Sequence, residues 1–355
     1  MFNILVSTEY ELLFETLKTE ASKIFSMKLA NFSCPDENQY EQLTGADAII
    51  GQKINLSDAQ YEVAEKLQII QTLSAGFEHI DLAKAEKHNV YVANNNGANA
   101  ESVAEHVLML ILALYRQLLF HHNSVTKGTW TCLKYQNRGL SGTTLGIFGL
   151  GNTGKALARR ASAFGVKIKY FDIVRQATAE KELGLEFVFP EELLKHSDIL
   201  SYHVPKTSYT RHLINQNSLS KMKDGALLIN ASRGDVHDEN AIYEALISGK
   251  ISGAGLDVFE KEPLPKKSPL CKLDNVVLTP HSAPDRECYT RTISNAFDNL
   301  TRVSKGEKPQ ALAVDHEEAT RQFLKRFPEV KFSVPCLIPV LLKSYWTVFC
   351  KILKY

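Results

Sequence analysis

Residues 144–154 read Thr-Leu-Gly-Ile-Phe-Gly-Leu-Gly-Asn-Thr-Gly: a short apolar run that ends in a glycine-spaced turn. A helical pattern opens at once from Thr153 and runs to Phe164, where Gly165 is placed to stop it. Alone, a G-x-G-x-x-G spacing is weak, because glycine is common and anything can lie between. Between a strand and a helix it is restrictive. The first glycine, Gly149, permits a tight turn; Gly151 lets the backbone approach a pyrophosphate; Gly154 lets helix and strand pack closely. Asn152 and Thr153 then lie at a helix N-terminus, where unpaired N–H groups and a partial positive charge favour phosphate. The next strand, Lys167–Phe171, ends at Asp172, near the roughly 20-residue spacing expected of the acid that binds an adenosine ribose diol. A carboxylate there accepts from two hydroxyls and repels a 2′-phosphate. The expectation is therefore NAD rather than NADP, although Arg175 stands near enough to be weighed as a phosphate partner.

Around this unit the chain alternates strands and helices, the pattern of mainly parallel sheets. Phe2–Ser7, Ala48–Gly51, Gln68–Leu73 and Asn89–Ala93 read as buried strands, with a helix over Asp58–Lys66 capped by Ser57. The second series adds Thr144–Phe148, Ile199–His203, Ala226–Asn230, Gly253–Leu256 and Val276–Thr279. A helix over Glu239–Ser248 has Asp238 as its cap and Gly249 as its stop. Between the two series, Asn94-Asn95-Asn96-Gly97 marks a turn, and Asn99–Leu119 reads as one long helix, apolar on nearly every side from Val107 to Leu114. Glu101, Glu105, His106 and Arg116 make it a core helix between domains or subunits rather than a membrane span.

The chain of 355 residues is long enough for two cores. Its apolar share of 44% and charged share of 23% are those of an ordinary globular protein, and a net charge of +1 gives no general attraction to nucleic acid or to an anionic membrane. Six scattered cysteines without a C-x-x-C pair read as free thiols, with no metal site. The N-terminus reads as a strand rather than a signal peptide, so a cytoplasmic location is expected. From Val334 to Leu353 the chain is apolar but broken by Pro335, Pro339, Lys343 and Lys351, with no amphipathic period. The breaks disfavour a membrane span and leave an extra packed segment or a poorly ordered tail as the two readings.

Three polar residues follow late strands of the second series: Arg233 after Ala226–Asn230, Glu262 after Gly253–Leu256, and His281 after Val276–Thr279. Ligands of open α/β sheets bind beyond the carboxyl ends of the strands, so these three are expected in one crevice. Carbonyl reduction needs a proton donor, which histidine supplies near neutral pH. A carboxylate beside it favours the imidazolium and fixes its orientation. A guanidinium holds a substrate carboxylate by paired hydrogen bonds in a geometry lysine cannot match. Singly, a histidine such as His281 is more often structural than catalytic, and Arg233 or Glu262 could each be half of an ordinary surface ion pair.

The surrounding sequence is more specific. Asn230-Ala231-Ser232-Arg233-Gly234-Asp235, Gly253–Pro265 and Thr279-Pro280-His281-Ser282-Ala283 resemble the signatures of the D-isomer-specific 2-hydroxyacid dehydrogenases, which include phosphoglycerate, hydroxypyruvate and glyoxylate dehydrogenases. Val204–Ile214, Ser74–Asp81 and Asn99–His106 resemble that family too, and the likeness runs from about residue 45 to 310. The resemblance implies an α/β protein of two doubly wound parallel-sheet domains: a Rossmann NAD-binding domain over 99–282, and a flavodoxin-like, discontinuous substrate domain over 1–98 and 283–312. The chain would cross between them twice, near Ala98 and Ala283, leaving 313–355 as a tail without a counterpart. It further implies a catalytic Arg233–Glu262–His281 set and substrate carboxylate binding by the amides around Ser74, Ala75 and Gly76. Asp257 would hold the nicotinamide carboxamide. The segment from Val204 and Pro205 to Thr210 would run along the adenosine, with Ala231 also against the cofactor. The expected reaction is NAD-dependent interconversion of a D-2-hydroxy acid and its 2-keto acid, the D stereochemistry resting on the resemblance alone. A homodimer through the helix after Asn99 is implied as well.

Glu78 stands where many members carry Asp, and the Asn-rich turn before Gly97 replaces a proline-containing version. The formate dehydrogenase branch resembles the same fold but has Gln in place of Glu262, which argues against it. Phosphite oxidation and an NAD-sensing, corepressor-like regulator are rival readings of the same pattern. Lys53, after Ala48–Gly51, is placed either to face the tail of an anionic substrate or to sit as a solvated surface lysine.

Overall fold

The computed structural model describes residues 1–8, 10–32, 39–130 and 137–330. Two parallel sheets organise them. The first contains β1 (Phe2–Ser7), β2 (Phe25–Ala30), β3 (Ala48–Gly51), β4 (Ile69–Thr72) and β5 (Tyr91–Ala93), in the order β2-β1-β3-β4-β5. The second contains β6 (Thr144–Phe148), β7 (Lys167–Phe171), β8 (Glu186–Phe187), β9 (Ile199–Tyr202), β10 (Ala226–Asn230), β11 (Ile251–Leu256) and β12 (Val276–Leu278), in the order β12-β11-β10-β9-β6-β7-β8. These are the flavodoxin-like and Rossmann-type orders, with the strand sequence reversing direction at β1/β3 and at β6/β9. Helices cover both faces, which is why central strands such as β3, β4 and β10 are buried at every position.

β2 and β8 are edge strands that the hydrophobic pattern does not announce. In β2 only Phe25 and Ala30 are buried, and Lys28 faces outward; a half-exposed edge strand lacks the continuous apolar run that marks a central one.

The expected single helix Asn99–Leu119 is corrected to two. Ala100–Tyr115 is followed by Leu118–Thr126 at a bend of 63°. Gln117 adopts a left-handed conformation at φ 49°, and the Tyr115 carbonyl accepts from the Arg138 N–H at 2.8 Å instead of continuing the helical ladder. Ala100–Tyr115 packs its Val107, Leu110 and Ile111 into one core with Leu157 and Ile229 of the second sheet's layer. Among the described residues no single helix is long and apolar enough to cross a membrane; only this bent pair reaches that length together.

The helix Arg286–Ser304, started by the Asp285 side chain, returns to the first sheet, where Ile293, Ala296 and Leu300 join Ile4, Val6 and Ile69 in one core. A third crossing then follows the two expected. Leu312 bridges Ala93 at the end of β5, with Asn94 N–H donating to Ala311 O at 3.0 Å and Ala313 N–H to Val92 O at 2.9 Å. The helix His316–Arg326 instead docks on the second sheet's core, where Phe323 meets Phe171 edge-on at 5.7 Å. The start of the presumed tail is thus packed structure. The broken apolar stretch from Val334 to Leu353 lies outside the described residues.

Candidate active site

A cleft of about 730 Å³ runs between the two sheets at the carboxyl ends of β6, β7, β9 and β10. Its walls include Gly149, Gly151, Asn152, Thr153, Asp172, Val204, Pro205, Thr210 and Ala231 from the second sheet's loops, and Ala75, Phe77 and Glu78 from the first.

The three loop glycines have separable reasons. Gly149 takes φ +96°, and a side chain there would meet the His203 carbonyl at 2.5 Å. A side chain at Gly154 would collide with the Gly149 carbonyl, closing the approach of helix to turn. At Gly151 no protein atom lies within 4 Å of the Cβ position. Glycine is required there by nothing in the chain itself, which is the cradle a pyrophosphate would fill. Gly151 is the N-cap of Asn152–Ala161 and offers no side-chain cap, so the first N–H groups of that helix have no capping side chain.

Asp172 accepts from Leu150 N–H at 2.7 Å and Val174 N–H at 2.9 Å. Burial pushes its carboxyl up, against these two N–H groups and the charges of Lys155 and His316. Arg175 is held by Glu180 through two contacts of 2.9 Å, which withdraws it from a 2′-phosphate. Beyond β9, Thr210 ties the Val204–Thr210 segment together, donating to Pro205 O at 2.6 Å and accepting from Thr207 N–H at 2.8 Å.

Arg233 is presented by a turn built on buried Asn230. The Asn230 Oδ1 accepts from Ser232 N–H at 3.0 Å and its Nδ2 donates to Arg233 O at 3.0 Å, an Asx-type arrangement at the end of β10. The guanidinium reaches across the cleft: Nε donates to Glu78 Oε1 at 2.8 Å and Nη1 to Ser232 O at 2.8 Å. A side chain at Gly76 would collide with this guanidinium, so the Ser74–Gly76 loop lies directly against it. Burial alone would raise the Glu78 carboxyl, but the charge and hydrogen bond of Arg233, a backbone hydrogen bond and the His79 charge together bring the net direction down. The Asn-rich turn holds the same loop in place: Asn94 Nδ2 donates to Ala75 O at 2.8 Å, and Asn95 N–H donates to Ser74 O at 3.0 Å.

His281 Nδ1 and Glu262 Oε2 stand 2.9 Å apart, with side chains 47% and 39% exposed. Glu262 Oε1 also accepts from Phe259 N–H at 3.1 Å. His281 has φ +52°, an uncommon state for a residue with a side chain, held by its N–H donating to Asp257 O at 2.8 Å and Thr279 O at 3.0 Å. These two side chains form one pair and Arg233 with Glu78 another; Glu262 and His281 stand outside the lining of this cleft.

Asp257 is fully buried and accepts from Thr279 Oγ1 at 2.6 Å, Ser282 N–H at 2.9 Å and Ala283 N–H at 3.1 Å. Burial would raise its carboxyl, but the hydrogen bonds from His106 and Thr279 lower it. It therefore anchors the second crossing and the backbone that carries His281. Lys53 is exposed, and its charge is felt at His79.

One wall of the cleft lies beyond the residues expected from the sequence. Val314, Asp315, His316, Glu317 and Thr320 line the cleft beside Asp172. The signal was present in the sequence: Asp315 three residues before Glu318, then Phe323 and Phe327 at helical spacing.

Residues 108–283 match the family model for the NAD-binding domain of D-isomer-specific 2-hydroxyacid dehydrogenases. A glyoxylate reductase of Korarchaeum cryptofilum is 41% identical over 278 residues, covering 77% of this chain and 84% of that protein. A hydroxypyruvate reductase of Thermotoga maritima is 44% identical over 222 residues, covering 62% and 72%. Among solved structures, the D-lactate dehydrogenase of Aquifex aeolicus, complexed with NAD and lactic acid, superposes with a TM-score of 0.72 at 31% identity, covering 86% of this chain and 96% of that one.

Proposed function

Because this chain belongs to the family of D-isomer-specific 2-hydroxyacid dehydrogenases, and so is an NAD-dependent oxidoreductase acting on CH–OH donors, we propose that it reduces a small 2-keto acid to the D-2-hydroxy acid with His281 as the proton donor. The observation that carries this reading is the 2.9 Å His281–Glu262 pair at the carboxyl ends of β11 and β12, in the sheet whose β6 ends in the glycine loop.

The bound cofactor supplies the hydride. The protein's residues do the rest. Arg233 holds the substrate carboxylate and polarises the carbonyl; its Nη2 has no protein hydrogen bond among the described residues, whereas Nε is occupied by Glu78. The backbone of Ser74–Gly76, beside that guanidinium, offers amides to the same carboxylate. As the carbonyl carbon is reduced, its oxygen takes the proton from the His281 imidazolium, and Glu262 orients the ring through Nδ1. In the oxidative direction neutral His281 takes the hydroxyl proton.

Asp172 accepts the adenosine ribose hydroxyls and disfavours a 2′-phosphate, a preference helped by the Arg175–Glu180 pair. Asp257 is assigned to the nicotinamide carboxamide side of the site, and its buried network keeps His281 in place. The substrate domain is assigned to 1–98 and 283–312, and the NAD-binding domain to 99–282. Exposed Met109, Leu118, Leu119 and Phe120 on the bent helix pair support a homodimer through that element. The relatives' names favour glyoxylate or hydroxypyruvate as substrate. The test is NADH oxidation with each of these acids, then NAD reduction with D- and L-glycerate; turnover of the L isomer alone refutes the stereochemical assignment.

A further inference from the structure

The chain returns to the nucleotide side of the cleft after its last contact with the first sheet. The strap from Leu312 to the end of His316–Arg326 is fixed at both ends. Leu312 is bridged to Ala93 on β5. At the other end Phe323 packs on Phe171, the last residue of β7 before Asp172. Between them, Glu317 takes hydrogen bonds from both the N–H and the hydroxyl of Ser208, in the segment after β9, the N–H at 2.8 Å.

His316 sits at the centre of this strap. Its ring lies 6.2 Å from that of Phe77, on the first sheet's loop. Its charged neighbours are Asp172 on the second sheet, Asp315 on its own element and Glu78 from the first sheet. It lines the cleft with Asp172, and its ring nitrogens have no protein hydrogen bond among the described residues.

We propose that His316 is a cofactor-binding residue, donating a ring N–H to the adenosine ribose diol beside Asp172, so that the C-terminal strap forms the third wall of the dinucleotide site. The inference rests on Asp172 marking the ribose subsite. A ribose hydroxyl both donates and accepts. Asp172, ionised, can only accept, so the diol's own acceptor positions need a donor. Glu317 and Asp315 cannot serve as carboxylates, Arg175 is held by Glu180, and Lys155, whose charge also reaches Asp172, does not line the cleft. A neutral imidazole has one N–H to give, and burial pushes His316 below its ordinary range, against its three acidic neighbours. Because the strap is anchored to both sheets, filling this subsite also ties the first sheet's loop at Phe77 to the nucleotide.

The test is direct binding, followed by the intrinsic fluorescence of NADH, with ADP-ribose as a competitor that has no nicotinamide. His316→Ala should weaken NADH and ADP-ribose by the same factor, about tenfold. His316→Gln, which restores a donor, should recover most of the loss. An unchanged ADP-ribose Kd in His316→Ala overturns the proposal. A His316→Gln variant as weak as His316→Ala also overturns it, since the loss then belongs to packing on Phe77. Asp172→Ala run alongside separates the premises: if that variant binds ADP-ribose as tightly as the parent, it is the ribose subsite itself that is misplaced.

Discussion

The nucleotide side of the cleft and the proposed reaction centre beside it are built on opposite plans. At the proposed cofactor end the wall is made of backbone and of a carboxylate held by backbone: the Gly149–Gly154 turn, the uncapped helix start at Asn152, and Asp172 fixed by two N–H groups. The proposed reaction centre is instead made of four half-exposed side chains in two ion pairs, Arg233–Glu78 on the cleft wall and His281–Glu262 outside its lining. A backbone site is rigid because its geometry is that of the fold. A side-chain site is precise only as far as its supporting contacts make it, which is why buried Asn230 and Asp257 stand behind Arg233 and His281. Binding and chemistry should accordingly be separable by mutation.

The largest separation is expected at His281. His281→Ala should lower kcat by about 10²–10⁴ while the NADH Kd, read by fluorescence, stays within about twofold. Loss of NADH binding instead would merge the two ends. Next comes Arg233→Lys, which keeps the charge but not the fork; kcat/KM for 2-keto acids should fall about a hundredfold, on the order of 3 kcal/mol, with the NADH Kd again unmoved. Asp172→Ala should do the reverse, narrowing the ratio of kcat/KM between NADH and NADPH by about tenfold with little change in the keto-acid KM at saturating cofactor. A ratio that does not move would take the ribose from Asp172.

The smallest effect concerns stability. Burial holds His203 and His237, both in the second sheet's domain, down at about 4. The unfolded chain binds protons at these sites below about pH 6.5, whereas the folded one does not. Their contribution is therefore complete above pH 6.5 and is lost as pH falls toward 4. Tm should drop across that window, roughly 2–4 °C for each kcal/mol, and His203→Gln should flatten the slope. An equal slope in the variant would clear His203 of any part in it.

The same contrast explains what could be read from the chain. The central strands and the glycine loop were legible because their constraints are local: continuous apolar runs, a turn and a helix start within eleven residues, 144–154. The positions of Arg233, Glu262 and His281 after strands were legible; that Arg233 lines the cleft while the other two stand outside its lining was not. That Glu78, 155 positions from Arg233, occupies its Nε depends on how two sheets face each other. The break at Gln117 was hidden because no proline or glycine marks it; it depends on Arg138 reaching the Tyr115 carbonyl. His316 was hidden for the same reason, since only the third crossing carries it to Asp172.

Above all, this cleft should bind NADH and turn it over on a 2-keto acid. Steady-state kcat/KM with NADH across glyoxylate, hydroxypyruvate and bulkier 2-keto acids checks that without intermediaries. The prediction is turnover with at least one small acid, yielding the D-2-hydroxy acid where the product is chiral. Tight NADH binding with no turnover of any 2-keto acid would contradict it.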